Sequence, residues 1–239
     1  MTKKTIALLG SVVILISVLS SNAFASGLGF GITGQMMTVD SSGKEVTNAG
    51  DSGTADTHKK SLSNDILSGE YFIEYSFEAL RGITVGYASN PGEANVSDTT
   101  FTRTDTTTAK GAAVVKDAER ETYSANALID GLSSMYIEVP LFAGFYGKYG
   151  QSSMDVTTQE LNRAAINGAY GNASIDGEIW GLGYKRDITD HVYIKASWEE
   201  QDFDTLKLTS SSNVVAADTN KIEADLDTTA YNFSVAYRF

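Results

Sequence analysis

The segment 231–239 is the feature that most constrains what this chain can fold into. Its odd-numbered positions are all apolar or aromatic, and the positions between them are small or polar: the apolar set is Tyr231, Phe233, Val235, Tyr237 and Phe239. Because a strand sends alternate side chains to opposite faces, this segment is predicted to be a strand with one aromatic-rich face. A soluble sheet could carry the same pattern, so the remaining chain has to decide between a soluble and a membrane-facing strand.

The same alternation recurs in seven earlier blocks of the sequence. They span residues 28–39, 70–78, 83–89, 123–129, 136–151, 174–185 and 192–200. The segments between blocks are alternately long and short, and the short ones are residues 79–82, 130–134 and 186–190. In the block 174–185 the facing is ambiguous, and we predict that Trp180, Leu182 and Tyr184 point outward. Pro140 falls inside the block 136–151, where it cannot donate a ladder hydrogen bond, so we expect a local disruption or a bulge there.

Eight such strands with all long connections at one end predict an eight-stranded, antiparallel, up-and-down transmembrane β-barrel, an all-β fold. An even number of strands, short turns at the periplasmic end, long extracellular loops and apolar-out alternation are typical of outer-membrane barrels. Closure also pairs every strand edge, which a bilayer requires. A secreted β-sandwich is the alternative, but it would not explain why the long connections alternate with the short ones.

The N-terminal residues predict a cleaved secretory signal peptide. Lys3 and Lys4 precede an apolar run over residues 6–19, and small residues lead to Ala25. This is the order of an n-region, an h-region and a cleavage site. We therefore expect a signal peptide at residues 1–25 and a barrel domain with four long extracellular loops at residues 26–239. A membrane anchor is the alternative, although the apolar run is shorter than the ~20 residues of a spanning helix.

Composition excludes several classes of function. The net charge is −12, which makes the chain a poor partner for nucleic acid because nucleic-acid binding depends on neutralising phosphates. The sequence contains no cysteine, so disulfides and thiolate metal sites are excluded. The acidic residues do not have the spacing of a calcium-binding loop. We predict no cofactor and no metal site.

Two segments resemble a known family. Residues 180–203 read WGLGYKRDITDHVYIKASWEEQDF, a glycine-rich strand, a Thr-Asp turn and an alternating strand with an inward lysine. Together with the terminal strand, this run resembles the last hairpin of small porin-like outer-membrane barrels of the OmpA, OmpX and opacity-protein type. The resemblance implies a bacterial outer-membrane location, surrounded by outer-membrane lipid and lipopolysaccharide. It also implies that the alternating residues ending at Phe239 are a signal read by the barrel-assembly machinery.

Charged residues on the polar strand faces are predicted to point into the lumen. They are Glu70, Glu74, Glu78, Glu138, Lys148, Lys195, Glu199 and Arg238. An eight-stranded barrel is only wide enough for its side chains to fill the interior. Buried charges must pair, because an unpaired one costs several kcal/mol. We therefore expect a largely plugged polar lumen rather than an open pore.

The resulting hypothesis is a non-enzymatic barrel with a structural or adhesin-like surface role and an unknown extracellular partner. One rival is a narrow channel for small solutes. Another is a lipid A-modifying enzyme, because some barrels of similar type are enzymes. Of the two histidines, His58 lies in the first long connection near Asp56, Ser61 and Ser63, where we interpret it as a solvated loop residue. His191 falls in a short turn, and we expect it to be structural.

Overall fold

The fold was analysed in a computed structural model, which describes residues 27–47, 56–96, 101–107, 119–162, 169–211 and 219–239. The segment expected to be a signal peptide lies outside the described residues. Within them, no helix is long and apolar enough to cross a membrane.

The described residues form one antiparallel sheet of eleven strands. In chain order they are β1 (Leu28–Thr47), β2 (Asp56–Phe77), β3 (Ile83–Ser89), β4 (Ala94–Asn95), β5 (Phe101–Thr107), β6 (Glu119–Pro140), β7 (Phe145–Asn162), β8 (Ala173–Asp187), β9 (Val192–Phe203), β10 (Leu206–Thr209) and β11 (Lys221–Arg238). Eight of them form a ring in the order β1-β2-β3-β6-β7-β8-β9-β11, closed by pairing of β1 with β11. The short strands β4 and β5 pair with β6, and β10 pairs with β11. The predicted eight-stranded antiparallel barrel is confirmed.

The barrel closes along nearly the whole length of its first and last strands. The β1–β11 register runs from Gly29 opposite Arg238 to Val46 opposite Lys221. Leu28 and Phe239 also share a backbone hydrogen bond of 3.0 Å, donated by the Phe239 amide. No edge is left open along this seam, which is the condition for a sheet in lipid.

The strands extend far beyond the apolar blocks of the sequence. The first long connection, between the blocks 28–39 and 70–78, was expected to occupy residues 40–68. Instead, β1 continues to Thr47 and β2 begins at Asp56. The long strands have 20 to 22 residues, about twice the 9–11 needed to cross a bilayer. Serine and threonine are compatible with a strand because the ladder hydrogen bonds come from the backbone. A polar sequence therefore did not imply a loop.

The second short turn was predicted wrongly. Residues 130–134 were expected to turn the chain, but β6 runs through them to Pro140. Gly131 has a φ of +61° and lies at a register shift between Asp130 and Ser133, so it forms a bulge. The chain turns at residues 141–144, where Ala143 and Gly144 have positive φ. Pro140 therefore ends a strand, where its missing N–H costs no ladder bond, rather than interrupting one.

The outer face of the barrel carries an apolar band near the short-turn end. Large apolar side chains are exposed there in rows across β2, β1 and β11, as in the row Tyr71, Ile32 and Val235. On β8, Trp180 and Leu182 are exposed whereas Ile179 is buried, which confirms the predicted facing of this strand. Trp180 packs edge-on against Trp198 at 5.0 Å, as expected of an aromatic girdle.

Candidate functional site

The half of the lumen near the short-turn end contains a cluster of buried charges. Glu74 on β2, Glu138 on β6 and Lys195 on β9 lie on the inward face of their strands and are 2%, 2% and 6% exposed. The Lys195 Nζ atom donates a 2.9 Å hydrogen bond to Glu74 Oε2 and also contacts Glu138 Oε1. One ammonium group on β9 therefore reaches across the ring to two carboxylates on β2 and β6, which have only β3 between them.

Glu74 is the centre of this cluster because four groups donate to its carboxylate. Besides Lys195, the Lys185 Nζ atom lies 2.7 Å from Glu74 Oε1, and the hydroxyl of Tyr193 donates to the same oxygen at 2.8 Å. The hydroxyl of Tyr136 donates to Glu74 Oε2 at 3.3 Å. A carboxylate with charge-assisted partners on both oxygens is held firmly in place.

A second ion pair lies next to this cluster, farther from the short turns. The Lys148 Nζ atom donates to both oxygens of Glu199, at 3.0 and 2.9 Å. Ser197 donates to Glu199 Oε1 at 2.9 Å. The Lys148 Nζ atom also lies 4.1 Å from the ring centroid of Tyr136. This cation–π contact links the Lys148–Glu199 pair to the cluster around Glu74.

Inward aromatic rings fill the space between the charges, and glycines on adjacent strands make room for them. Three aromatic–glycine pairs face each other across strands: Phe72 with Gly31, Tyr136 with Gly86, and Tyr146 with Gly183. A Cβ atom added to any of these glycines would lie 2.3 to 2.4 Å from the partner ring. Each ring can therefore lie flat across its neighbouring strand and into the lumen. Together with the charges, the rings span the barrel.

The predicted lumen charges do not all join this cluster. Glu78 lies on the 3-10 turn Glu78–Leu80 with an exposed side chain, because the chain has already left the barrel wall there. Arg238 lies at the rim, where it pairs with Asp187 at 3.0 Å. Glu70 faces the lumen opposite Thr33 and is partly buried. Glu74, Glu138, Lys148, Lys195 and Glu199 are the predicted residues that the fold brings together.

Lys185, Phe72 and Tyr136 are the members that sequence reasoning missed, whereas alternation along β7 and β9 already predicts that Tyr146 and Tyr193 point inward. Glycines recur on the inward faces of β1, β3 and β8. They leave room beside the neighbouring strand, and this pattern in the sequence indicates that large aromatic side chains lie there. Lys185 lies on the inward face of β8 with its side chain 19% exposed. It is an odd-numbered residue on a strand whose even-numbered residues Trp180 and Leu182 point outward, so alternation assigns it to the inward face.

A packed apolar cluster fills the lumen on the other side of the charges, toward the long connections. Its buried members share contacts with one another, and they are Met37, Val39, Val96, Ile129, Leu132, Met154, Val156, Ile175, Phe203, Leu206, Leu208, Leu226 and Ala230. This apolar interior was not predicted, since alternation was expected to place polar side chains inside. The lumen therefore has a charged layer and an apolar layer in series.

Below the charges, the barrel opens into a vestibule of about 460 Å³ at the short-turn end. Its lining includes Glu138, Lys185 and Arg238 together with apolar residues of the 141–144 turn. The charge cluster thus forms the closed end of a cavity that is open on the short-turn side.

The two histidines have structural surroundings. His58 lies in β2 and pairs across the sheet with Glu45, so the expectation of a loop residue was wrong. The His191 ring stacks on Tyr237 at 5.5 Å, and its Nδ1 atom lies 3.1 Å from the Arg238 carbonyl oxygen. Among the described residues, no group of three or more histidines, aspartates or glutamates could hold a metal ion.

Comparison with solved structures places the fold among outer-membrane barrels. The outer membrane protein OprG from Pseudomonas aeruginosa superposes with a TM-score of 0.52 and 15% sequence identity, over 90% of this chain and 97% of that one. AlkL, solved in lipid bilayers, gives a TM-score of 0.46 and 12% identity over 92% of this chain and 94% of the other. Ail of Yersinia pestis gives 0.36 and 12%, over 90% of this chain and 99% of the other.

No protein-family model matches the sequence, and no curated protein matches it significantly. The structural likeness to OprG, at low identity, concerns the fold. The chain has the fold of the small eight-stranded outer-membrane β-barrels. Its outward apolar band, flanked by aromatic residues, is the surface that such a barrel presents to lipid.

Proposed function

We propose that this protein is a non-enzymatic outer-membrane barrel with a closed lumen and a structural or surface-interaction role. In the proposed orientation the short turns face the periplasm and the long connections face outward, as in other outer-membrane barrels. The polar strand extensions would then stand above the membrane as the surface available to partners.

The observation that carries this proposal is the contact of Lys195 with both Glu74 and Glu138. Three strands contribute to it, so the contact bridges the lumen rather than one part of its wall. Removing one partner of a buried ion pair costs on the order of 3–5 kcal/mol, because the remaining charge is left uncompensated. A hydrated ion would have to displace these contacts and then pass the apolar cluster above them.

The test is single-channel conductance of the purified protein in planar bilayers. We expect very low conductance for the wild type and a higher conductance for Lys195→Met. Glu138 loses its ammonium partner whereas Glu74 keeps Lys185, and the unpaired carboxylate of Glu138 admits water or a proton and loosens the layer. The same substitution should lower the free energy of unfolding in lipid by on the order of 3–5 kcal/mol if the site stays dry. Arg186→Met is the matched control, since this residue is exposed near the short-turn end.

The narrow solute channel is the alternative, and the same recordings separate the two. Steady conductance in the wild type, unchanged in Lys195→Met, would establish the channel and contradict the closed lumen. Equal conductance changes in Lys195→Met and Arg186→Met would also contradict it, because the effect would then not come from the cluster.

The absence of enzymatic activity is part of the proposal and has its own test. The support comes from His191, whose ring stacks on Tyr237 and whose Nδ1 atom lies 3.1 Å from the Arg238 carbonyl oxygen at the short-turn end. Mass spectrometry of lipid A from cells with and without the protein should give identical spectra. A new or missing acyl or phosphate group that depends on the protein would show that it modifies lipid A.

A further inference from the structure

A row of lysines crosses the outer face of the barrel above the apolar band. The register places Lys59 of β2 opposite Lys44 of β1, Lys44 opposite Glu223 of β11, and Glu223 opposite Lys207 of β10. These four side chains therefore stand side by side on one face of four adjacent strands. With Lys60, Asp225 and neighbouring small residues they line a surface cleft of about 550 Å³.

The row has more positive charge than its carboxylates neutralise. Lys44 forms an ion pair of 2.8 Å with Glu223, and the hydrogen bond and charge of Lys44 lower the pKa of Glu223. Glu223 is thus shared between lysines on both sides. Directly opposite like charges such as Lys44 and Lys59 destabilise a sheet. In a chain of net charge −12, this concentration of lysines is a local exception.

The height of the row identifies what could lie against it. Met36 belongs to the last apolar row of β1, and Lys44 follows eight residues later on the same strand. At ~3.4 Å per residue and a tilt of about 40°, the lysines lie about 20 Å beyond the apolar band. The headgroup layer of an ordinary phospholipid leaflet is only about 5–8 Å thick. Glycerophospholipid phosphates would therefore not reach the lysines.

The surface between the apolar band and the lysines is acidic. It carries outward carboxylates on neighbouring strands, including Asp40, Asp65, Asp202 and Asp227. Burial and the nearby Asp202, Asp225 and Asp40 raise the pKa of Asp227, as expected for crowded carboxylates. Anionic groups are therefore repelled at this level and attracted farther from the lipid tails, at the height of the lysines.

We propose that the row formed by Lys44, Lys59 and Lys207 binds the phosphate-bearing core sugars of lipopolysaccharide on the outer leaflet. Lipopolysaccharide matches the surface because its anionic sugar chain extends beyond the lipid phosphates to the height of the lysines. Its phosphates provide the negative charge that the row lacks. The site rests on the proposed orientation of the barrel, with the long connections outward, and is independent of whether the lumen conducts.

The test is a binding titration of the full-length barrel in zwitterionic detergent with phosphorylated rough lipopolysaccharide. The variant is Lys59→Gln/Lys207→Gln, which removes both flanking lysines and keeps the Lys44–Glu223 pair. At about 1 kcal/mol per lysine near an anionic surface, each substitution weakens binding about fivefold, so we expect a Kd about 25-fold higher. The matched control is Arg81→Gln/Arg186→Gln, which removes the same charge from exposed positions near the short-turn end.

The arginine control should bind lipopolysaccharide with a Kd within about twofold of that of the wild type. Chemically dephosphorylated lipopolysaccharide should bind the wild type and the lysine variant equally weakly, because the row interacts with phosphate. An unchanged Kd in the lysine variant, an equal loss in the arginine control, or full binding of dephosphorylated lipopolysaccharide would each overturn the proposal. Lysine-dependent binding of heparin without binding of lipopolysaccharide would also overturn it, in favour of a soluble polyanion. Cold and heated electrophoretic mobilities confirm that each variant is folded.

Discussion

At the scale of single residues, the lumen depends on glycines that leave room for aromatic rings. Gly86 faces Tyr136, whose hydroxyl donates to Glu74. The glycine therefore determines where the ring lies, and the ring in turn supports the central carboxylate of the charge cluster. A small residue in the wall thus controls the position of a large polar group in the interior.

We predict that Gly86→Ala lowers the free energy of unfolding by about 1–3 kcal/mol, because overpacking forces a shift of the ring or the strand. The new Cβ atom would lie 2.3 Å from Tyr136 Cζ. Gly147→Ala is the control, since a Cβ atom there meets nothing within 4 Å. Both changes reduce the entropy of the unfolded chain equally, so urea unfolding in lipid vesicles isolates the steric effect. Equal stabilities of the two variants would show that the ring adapts freely.

At the scale of the strand, residues 231–237 of β11 alternate between a lipid-facing and a lumen-facing side chain. Val235 is 44% exposed and lies between Ile32 and Ile194 of the neighbouring strands, within the apolar band. Ser234 is 5% exposed, and its hydroxyl lies 2.9 Å from that of Thr33 inside the barrel.

Val235→Arg should therefore destabilise the barrel by about 2–4 kcal/mol, the cost of an arginine near the bilayer midplane. Ser234→Arg places the same side chain in a filled lumen, so its effect comes from packing and should not depend on lipid thickness. Reversible unfolding in vesicles of two acyl-chain lengths measures both effects. A Val235→Arg variant as stable as wild type would show that Val235 does not face lipid.

At the scale of the whole molecule, residues 231–239 belong to the strand that closes the barrel, and their apolar face is proposed to be the signal for the assembly machinery. Closure itself depends on pairing with β1 along the entire seam. Recognition by the machinery would instead depend on the outward side chains of Tyr231, Phe233, Val235, Tyr237 and Phe239.

Phe239→Ala is expected to lower the amount of protein in the outer membrane by much more than it lowers stability in lipid. Phe30→Ala is the control, because Phe30 has a similar exposure of 51% against 54% and lies outside the terminal segment. Outer-membrane levels in cells and unfolding in vesicles are compared for both variants. Normal levels of Phe239→Ala, or an equal loss for Phe30→Ala, would contradict a recognition role.

The sequence alone determined how many strands form the barrel and which side chains face lipid, although not where each strand begins and ends. This information is local, because alternation along a strand assigns each residue to a face without reference to its partners. Glu74, Glu138, Lys148, Lys195 and Glu199 were placed in the lumen on that basis. The terminal strand and the facing of Trp180 follow from the same rule.

The tertiary structure decided what depends on pairing between distant strands. A glycine in a strand can form a bulge or a turn, and only the register with β7 shows that Gly131 forms a bulge and that the chain turns at residues 141–144. The contact of Lys195 with Glu74 joins residues 121 positions apart in the sequence. The row from Lys59 to Lys207 likewise exists only because closure brings β2, β1, β11 and β10 side by side. Alternation assigns a face, whereas register assigns the neighbour on that face, and register is set by barrel closure.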